Sequence, residues 1–263
     1  MSTLSYPVSD SATMLRRNLR HMLRYPSMTL MLAGMPIIFL LLFVYVFGGT
    51  LGAGLGGASG GRTAYANYVA PGIILMTLAA VAQGTAVSVA MDMTEGIVAR
   101  FRTMAISRAS VLTGHVLGSL IQAMLSVAVV IGAALLTGFR PAAGPLAWVA
   151  AAGVLAMISF ALTWLTVALG LVAKTVEAAS NSPMFLILLP FLGSGFVPTH
   201  SMPTGLRWFA EYQPFTPATE TLRGLLMGTP IGSHAIIAIA WCAGLALFAY
   251  LWARKLFNRD PSR

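Results

Sequence analysis

Residues 28–47 run for twenty positions without one charged side chain. At a rise of about 1.5 Å per residue, such a helix is about 30 Å long, the thickness of a bilayer's hydrocarbon core. Five more apolar stretches follow, at 69–91, 111–136, 146–173, 178–197 and 235–252. The fifth is the weakest, because its apolar core is only 183–197 and it reaches full length only by starting near Ala178. Water would not tolerate this many runs. Only 9% of the 263 residues are charged, against roughly 25% in a soluble domain. In lipid every backbone polar group needs a partner within the chain, and a helix supplies its own. The expected fold is an all-α membrane protein, a single transmembrane domain over 1–263 with six transmembrane helices.

The polar segments set the orientation. In 9–25, Arg16, Arg17, Arg20 and Arg24 fall on one side of a helix and Leu15, Leu19, Met22 and Leu23 on the other, with Pro26 as a stop. A basic amphipathic stretch before a span reads as an N-terminal interfacial helix lying on the membrane. With six spans, one side collects twelve Lys and Arg and the other four. The rich side is cytoplasmic, which puts both termini there and region 198–233 outside. The net charge of +9 therefore points to membrane lipid as the partner, and no nucleic acid is expected. Segment 48–62 reads as a flexible glycine-rich loop.

Region 198–233 contains two short amphipathic pieces, 205–212 and 217–227. Thr216 is expected to cap the second and Pro217 to open it, with Gly228 stopping it. Eleven residues cover only about 16 Å, half a bilayer. Glu220 and Arg223 stand one turn apart, either as an external pair or as a solvated rim pair.

Most catalytic chemistry lacks its residues. The only lysines, Lys174 and Lys255, follow Ala173 and Arg254, so the Gly-Lys of a phosphate-binding loop does not occur. His21, His115, His200 and His234 make no metal-spaced pair, and Cys242 stands alone. Asp92, Glu95 and Glu177 lie at the cytoplasmic edge, leaving no carboxylate in mid-span for a proton relay. What remains is 92–110. There Ile97, Phe101, Met104 and Ala105 share one helical face, while Glu95, Arg100, Arg102 and Arg108 line much of the rest. This is either a solvated loop that fixes topology or a docking helix that seats an apolar knob in a partner's groove. Topology alone does not need the apolar face.

Three stretches in order resemble a known family. They are Glu95-Gly96 through Ile106-Ser107-Arg108 with Thr113-Gly114-His115; Gly195-Phe196-Val197-Pro198 with Ser201-Met202-Pro203; and Gln213-Pro214-Phe215-Thr216-Pro217 with Glu220-Thr221-Leu222-Arg223-Gly224. Together they resemble the membrane permease subunit of type-2 ABC exporters, in the daunorubicin-resistance-like branch, over nearly the whole chain. The resemblance implies two permease copies, identical or closely related, joined to two ATP-binding-cassette ATPase subunits in a bacterial-type cell membrane. ATP and magnesium would be bound by the partner ATPase, so this chain would carry no cofactor and would not itself be an enzyme. Glu95, Gly96, Arg100, Phe101, Arg102 and Arg108 would belong to the cytoplasmic coupling helix, and 174–181 would make a second cytoplasmic contact. Region 198–233, with Glu220 and Arg223, would form external re-entrant half-helices between the fifth and sixth spans. Spans two and five would lie near the dimer axis. Met76, Gln83, Phe185 and Phe191 become candidates for the substrate path, though for each one taken singly ordinary helix packing is the stronger reading. The cargo would be a hydrophobic or amphiphilic drug, lipid or secondary metabolite, moved outward. A secondary transporter or channel driven by an ion gradient is the alternative, and it would need intramembrane ionisable groups that are scarce here.

Overall fold

The computed structural model describes residues 26–56, 61–94 and 108–257. The interfacial helix expected at 9–25 lies outside the described residues, as do Glu95, Gly96, Arg100, Phe101 and Arg102. The described elements are α1 (Pro26–Leu41), a π-helical turn (Leu42–Phe47), α2 (Gly48–Gly56), α3 (Arg62–Thr94), α4 (Arg108–Leu136) and α5 (Pro145–Val172). Then come α6 (Val176–Asn181), α7 (Met184–Leu188), a 3₁₀ turn (Thr199–Ser201), α8 (Thr204–Tyr212), α9 (Phe215–Met227) and α10 (His234–Phe257).

Among the described residues, five helices are able by length and composition to cross a membrane: Leu32–Gly54, α3, Leu112–Leu136, α5 and α10. The six-helix expectation is corrected at the fifth run. Residues 178–197 do not form one helix. α6 ends at Asn181, α7 covers five residues, and the chain then turns repeatedly from Leu189 to Val197. Pro183 and Pro190 lack the N–H that would continue a helical ladder, which accounts for both breaks. A second correction concerns the glycine-rich segment, which is helical through Gly56 and prolongs the first span. Internal hydrogen bonds matter more to a backbone leaving lipid than glycine's entropic penalty.

α3 is the central strut. In its most apolar stretch 72% of the residues are buried, against 17% for α10 at the periphery. α1, α4, α5 and α6 surround it, and α10 packs on α5 and α9. At Gly170 the α5 backbone comes so close to α3 that an added Cβ would lie 2.7 Å from the Ala86 carbonyl oxygen. The main core runs along α3 from Tyr65 to Ala82. A second apolar cluster gathers the far ends of four helices through Val89, Leu112, Val116, Trp164, Val167, Ala249 and Phe257. Several buried threonine hydroxyls bond back to their own helix, as in Thr77 Oγ1 to Ile73 O at 2.9 Å and Thr219 Oγ1 to Phe215 O at 2.7 Å. Ile236, Ile239, Leu247, Phe248 and Leu251 on α10 face outward, a surface suited to lipid contact.

Candidate functional site

The turns after α7 are held by side chains from elsewhere in the chain. A broken helix leaves carbonyls without intrahelical donors, and each must find a partner when buried. The carbonyl of Leu189 accepts from Gln213 Nε2 at 3.0 Å, that of Ser194 from Arg223 Nη2 at 2.8 Å, and that of Phe196 from the Tyr65 hydroxyl at 3.1 Å. The Ser194 N–H donates to Thr216 Oγ1 at 3.2 Å. α3, the Gln213 corner and α9 thus close on one elbow, 189–197.

Local sequence explains how α9 reaches the elbow. Pro214 precedes the helix, and Gly228, at φ 71°, closes it through an N–H bond to the Gly224 carbonyl. The expected stop therefore holds, but the start lies earlier, at Phe215. Thr216 is not an N-cap. Its hydroxyl accepts from Ser194 N and from Gln213 Nε2. Glycines admit the close approaches. A Cβ on Gly72 would lie 2.6 Å from the Gly195 carbonyl oxygen, and one on Gly193 2.2 Å from Gln213 Nε2.

Arg223 is the most heavily used cation among the described residues. Its Nη1 pairs with Glu220 Oε1. Its Nη2 also donates to the Tyr68 carbonyl at 3.0 Å, and its guanidinium lies 3.9 Å from the Tyr68 ring centre. With its side chain 12% exposed, Arg223 is no solvated rim residue. The planar fork suits this duty, because several donors leave one rigid group while its face stacks on a ring.

The path candidates are placed apart. Met76 is buried in the main core on α3. Gln83, two turns along α3, donates from Nε2 to the Ser180 carbonyl at 2.6 Å, pinning α6. Phe185 is about half exposed on α7. Phe191 stacks on Phe196 with ring centres 4.3 Å apart, and Phe39 and Phe43 of the first span complete the aromatic group. In the 174–181 connection, Thr175 Oγ1 accepts from the Ala178 N–H at 3.2 Å. Arg108 opens α4.

Sequence reasoning missed one polar contact. Asp92, near the end of α3, and His115, on α4, meet at 3.0 Å with side chains 12% and 8% exposed. The two residues are 23 positions apart. Two long antiparallel helices joined by a short connection carried the signal for this contact.

The comparisons with known proteins agree with this architecture. The ABC-2 type transporter family model matches residues 11–227, and the chain belongs to that family. It is thus a multi-pass membrane protein of the ABC permease class, and its named relatives are permease proteins. It is 29% identical to the daunorubicin resistance ABC transporter permease protein DrrB1 of Streptomyces coeruleorubidus over 255 residues, covering 96% of this chain and 88% of that protein. It is also 31% identical over 155 residues to the probable doxorubicin resistance ABC transporter permease protein DrrC of Mycobacterium tuberculosis (strain CDC 1551 / Oshkosh), covering 58% of this chain and 55% of that one.

Proposed function

We propose that this chain is the membrane half of an outward pump for hydrophobic or amphiphilic molecules, driven by two separate cassette ATPases and working beside a second permease copy. The observation that carries the reading is similarity to a drug-resistance permease along 96% of the chain. ATP and magnesium belong to the partner in this scheme. Both termini lie in the cytoplasm, with the coupling loop that contains Glu95, Gly96, Arg100, Phe101, Arg102 and Arg108. Segment 176–197 serves as the fifth of six crossings in broken form. It runs beside α3 from Ser180 at Gln83 to Gly195 at Gly72. Those α3 positions are eleven residues apart, so the segment has advanced about 16 Å along the strut by Gly195, inside the elbow.

Closure of the cassettes pushes the coupling loop and tilts α3 and α4. The elbow is the natural place to yield, because beyond its backbone turns at 189–193 it is held by side chains from other segments. Loosening Arg223 from Ser194 and Tyr68 frees 189–197 from α3 and α9 at the external end. Of the four path candidates, half-exposed Phe185 is open to cargo in this state, whereas Met76, Gln83 and Phe191 become walls only when the packing around them opens.

Reconstitution with a cassette ATPase in inside-out vesicles tests the scheme, with doxorubicin as the fluorescent probe. ATP-dependent uptake that survives collapse of ion gradients is the expected result. Uptake that follows an ion gradient without ATP supports the secondary transporter instead. Glu95→Ala and Arg102→Ala are expected to lower uptake per ATP hydrolysed. Wild-type ratios in both would remove these residues from the coupling helix.

A further inference from the structure

The second apolar cluster lies where α3, α4, α5 and α10 end together, beside the 95–107 connection. Next to it are the carboxylate of Asp92 and the imidazole of His115, both largely buried. If Asp92 is ionised its carboxylate can only accept, and the Nε2–H tautomer of His115 is then the donor to Oδ2. Stability alone does not account for such a pair, since well-packed apolar side chains commonly serve a buried site as well or better. A hydrogen bond adds something an apolar contact lacks. Apolar surfaces slide past one another at small cost, whereas a short directional bond fixes the axial register of two helices. Toward the membrane interior, seven residues back along α3 and four residues on along α4, Thr85 and Ser119 join the same two helices through their hydroxyls. α3 and α4 are therefore pinned by these two polar rungs.

We propose that Asp92 and His115 are positioning residues for coupling. They lock α3 and α4 into one rigid body, so that a push on the connection between them reaches the far end of the bundle. The inference rests on the exporter reading and adds to it the pair that carries the motion into the spans. Without the bond, the push is absorbed by slippage between the helices close to where it enters. Asp92 lies two residues before the end of α3, and His115 seven residues after the start of α4. The clamp thus sits within about 11 Å, along either helix, of the point where the connection begins or ends.

The test uses the full chain bound to its cassette ATPase, on a Cys242→Ser background. Spin labels at Leu146→Cys and Trp208→Cys, both largely exposed, report the end of the bundle away from the clamp. The distance between them is measured with and without ATP and vanadate, and ATP hydrolysis is measured in parallel. Wild type is expected to show a nucleotide-dependent change. Asp92→Leu with His115→Phe keeps the site filled and apolar, and is expected to shrink that change about threefold at equal ATP hydrolysis. The exchange Asp92→His with His115→Asp is expected to restore it. A full-sized change in the apolar pair, with the cassette still bound, overturns the clamp while leaving the exporter reading intact. Absence of any change in wild type overturns the transmission role. Failure of wild type to bind any cassette ATPase removes the exporter reading, and the clamp with it.

Discussion

The guanidinium of Arg223 lies 3.9 Å from the centre of the Tyr68 ring while its Nη2 donates to the carbonyl of the same residue at 3.0 Å. One arginine therefore grips both the face and the backbone of Tyr68, and it also holds Ser194 and Glu220. Arg223→Ala removes these contacts and leaves Glu220 without its cation. The expected loss is about 3 kcal/mol, read as a lower unfolding midpoint in detergent. Arg223→Lys is expected to recover less than half, since an ammonium cannot fork and stack at once. Tyr68→Phe keeps ring and carbonyl and is expected to match wild type. A wild-type midpoint for Arg223→Ala would show that the grip contributes nothing to stability.

The contact of Gly72 with Gly195 makes a second prediction. Any side chain at either position meets backbone, which cannot move aside as a rotamer can. Gly72→Ala is expected to destabilise by about 1–3 kcal/mol through overpacking. Gly153→Ala, with open space around its Cβ, is the control and is expected to be neutral or slightly stabilising. Equal midpoints for the two variants would remove the close approach from the account.

Thr216 separates a capping role from an elbow role. Thr216→Val keeps the shape but deprives the buried Ser194 N–H of its acceptor, at an expected cost of about 1–3 kcal/mol. Hydrogen exchange distinguishes the two. Faster exchange at Ser194 with α9 still protected is expected, whereas fraying confined to the start of α9 would restore Thr216 as an N-cap.

Parity decides the number of crossings. Five crossings put the termini on opposite faces, and six put them on one. Single cysteines at Trp208 and Lys174, on a Cys242→Ser background, are probed in intact cells with an impermeant maleimide. Labelling at 208 and protection at 174 and at both termini is the expected pattern. Labelling of one terminus alone means that 176–197 enters and leaves on the same face.

The five long helices were legible because an unbroken apolar run of sufficient length has few other fates in lipid. Their ends were less so, since α3 runs beyond its 69–91 core at both ends. The fifth run misled because hydropathy sums side chains and ignores the missing N–H groups of Pro183 and Pro190. Glu220 and Arg223 were read as one-turn neighbours, and they do pair. The carbonyls that Arg223 also serves lie 29 and 155 residues away, beyond any local pattern. Asp92 and His115 were read separately, because only the pairing of α3 with α4 brings them together.

An ordinary transmembrane helix carries its cohesion within itself and cannot be loosened at one point without fraying its own ladder. The elbow at 189–197 has given that independence up. Beyond its own backbone turns, three of its carbonyls are held by Gln213, Arg223 and Tyr65, so its hold on the bundle is set largely by residues on other segments. Evolution can tune such a joint one side chain at a time, leaving the five long helices untouched. Related pumps could thus come to differ in how readily they open while sharing the same frame.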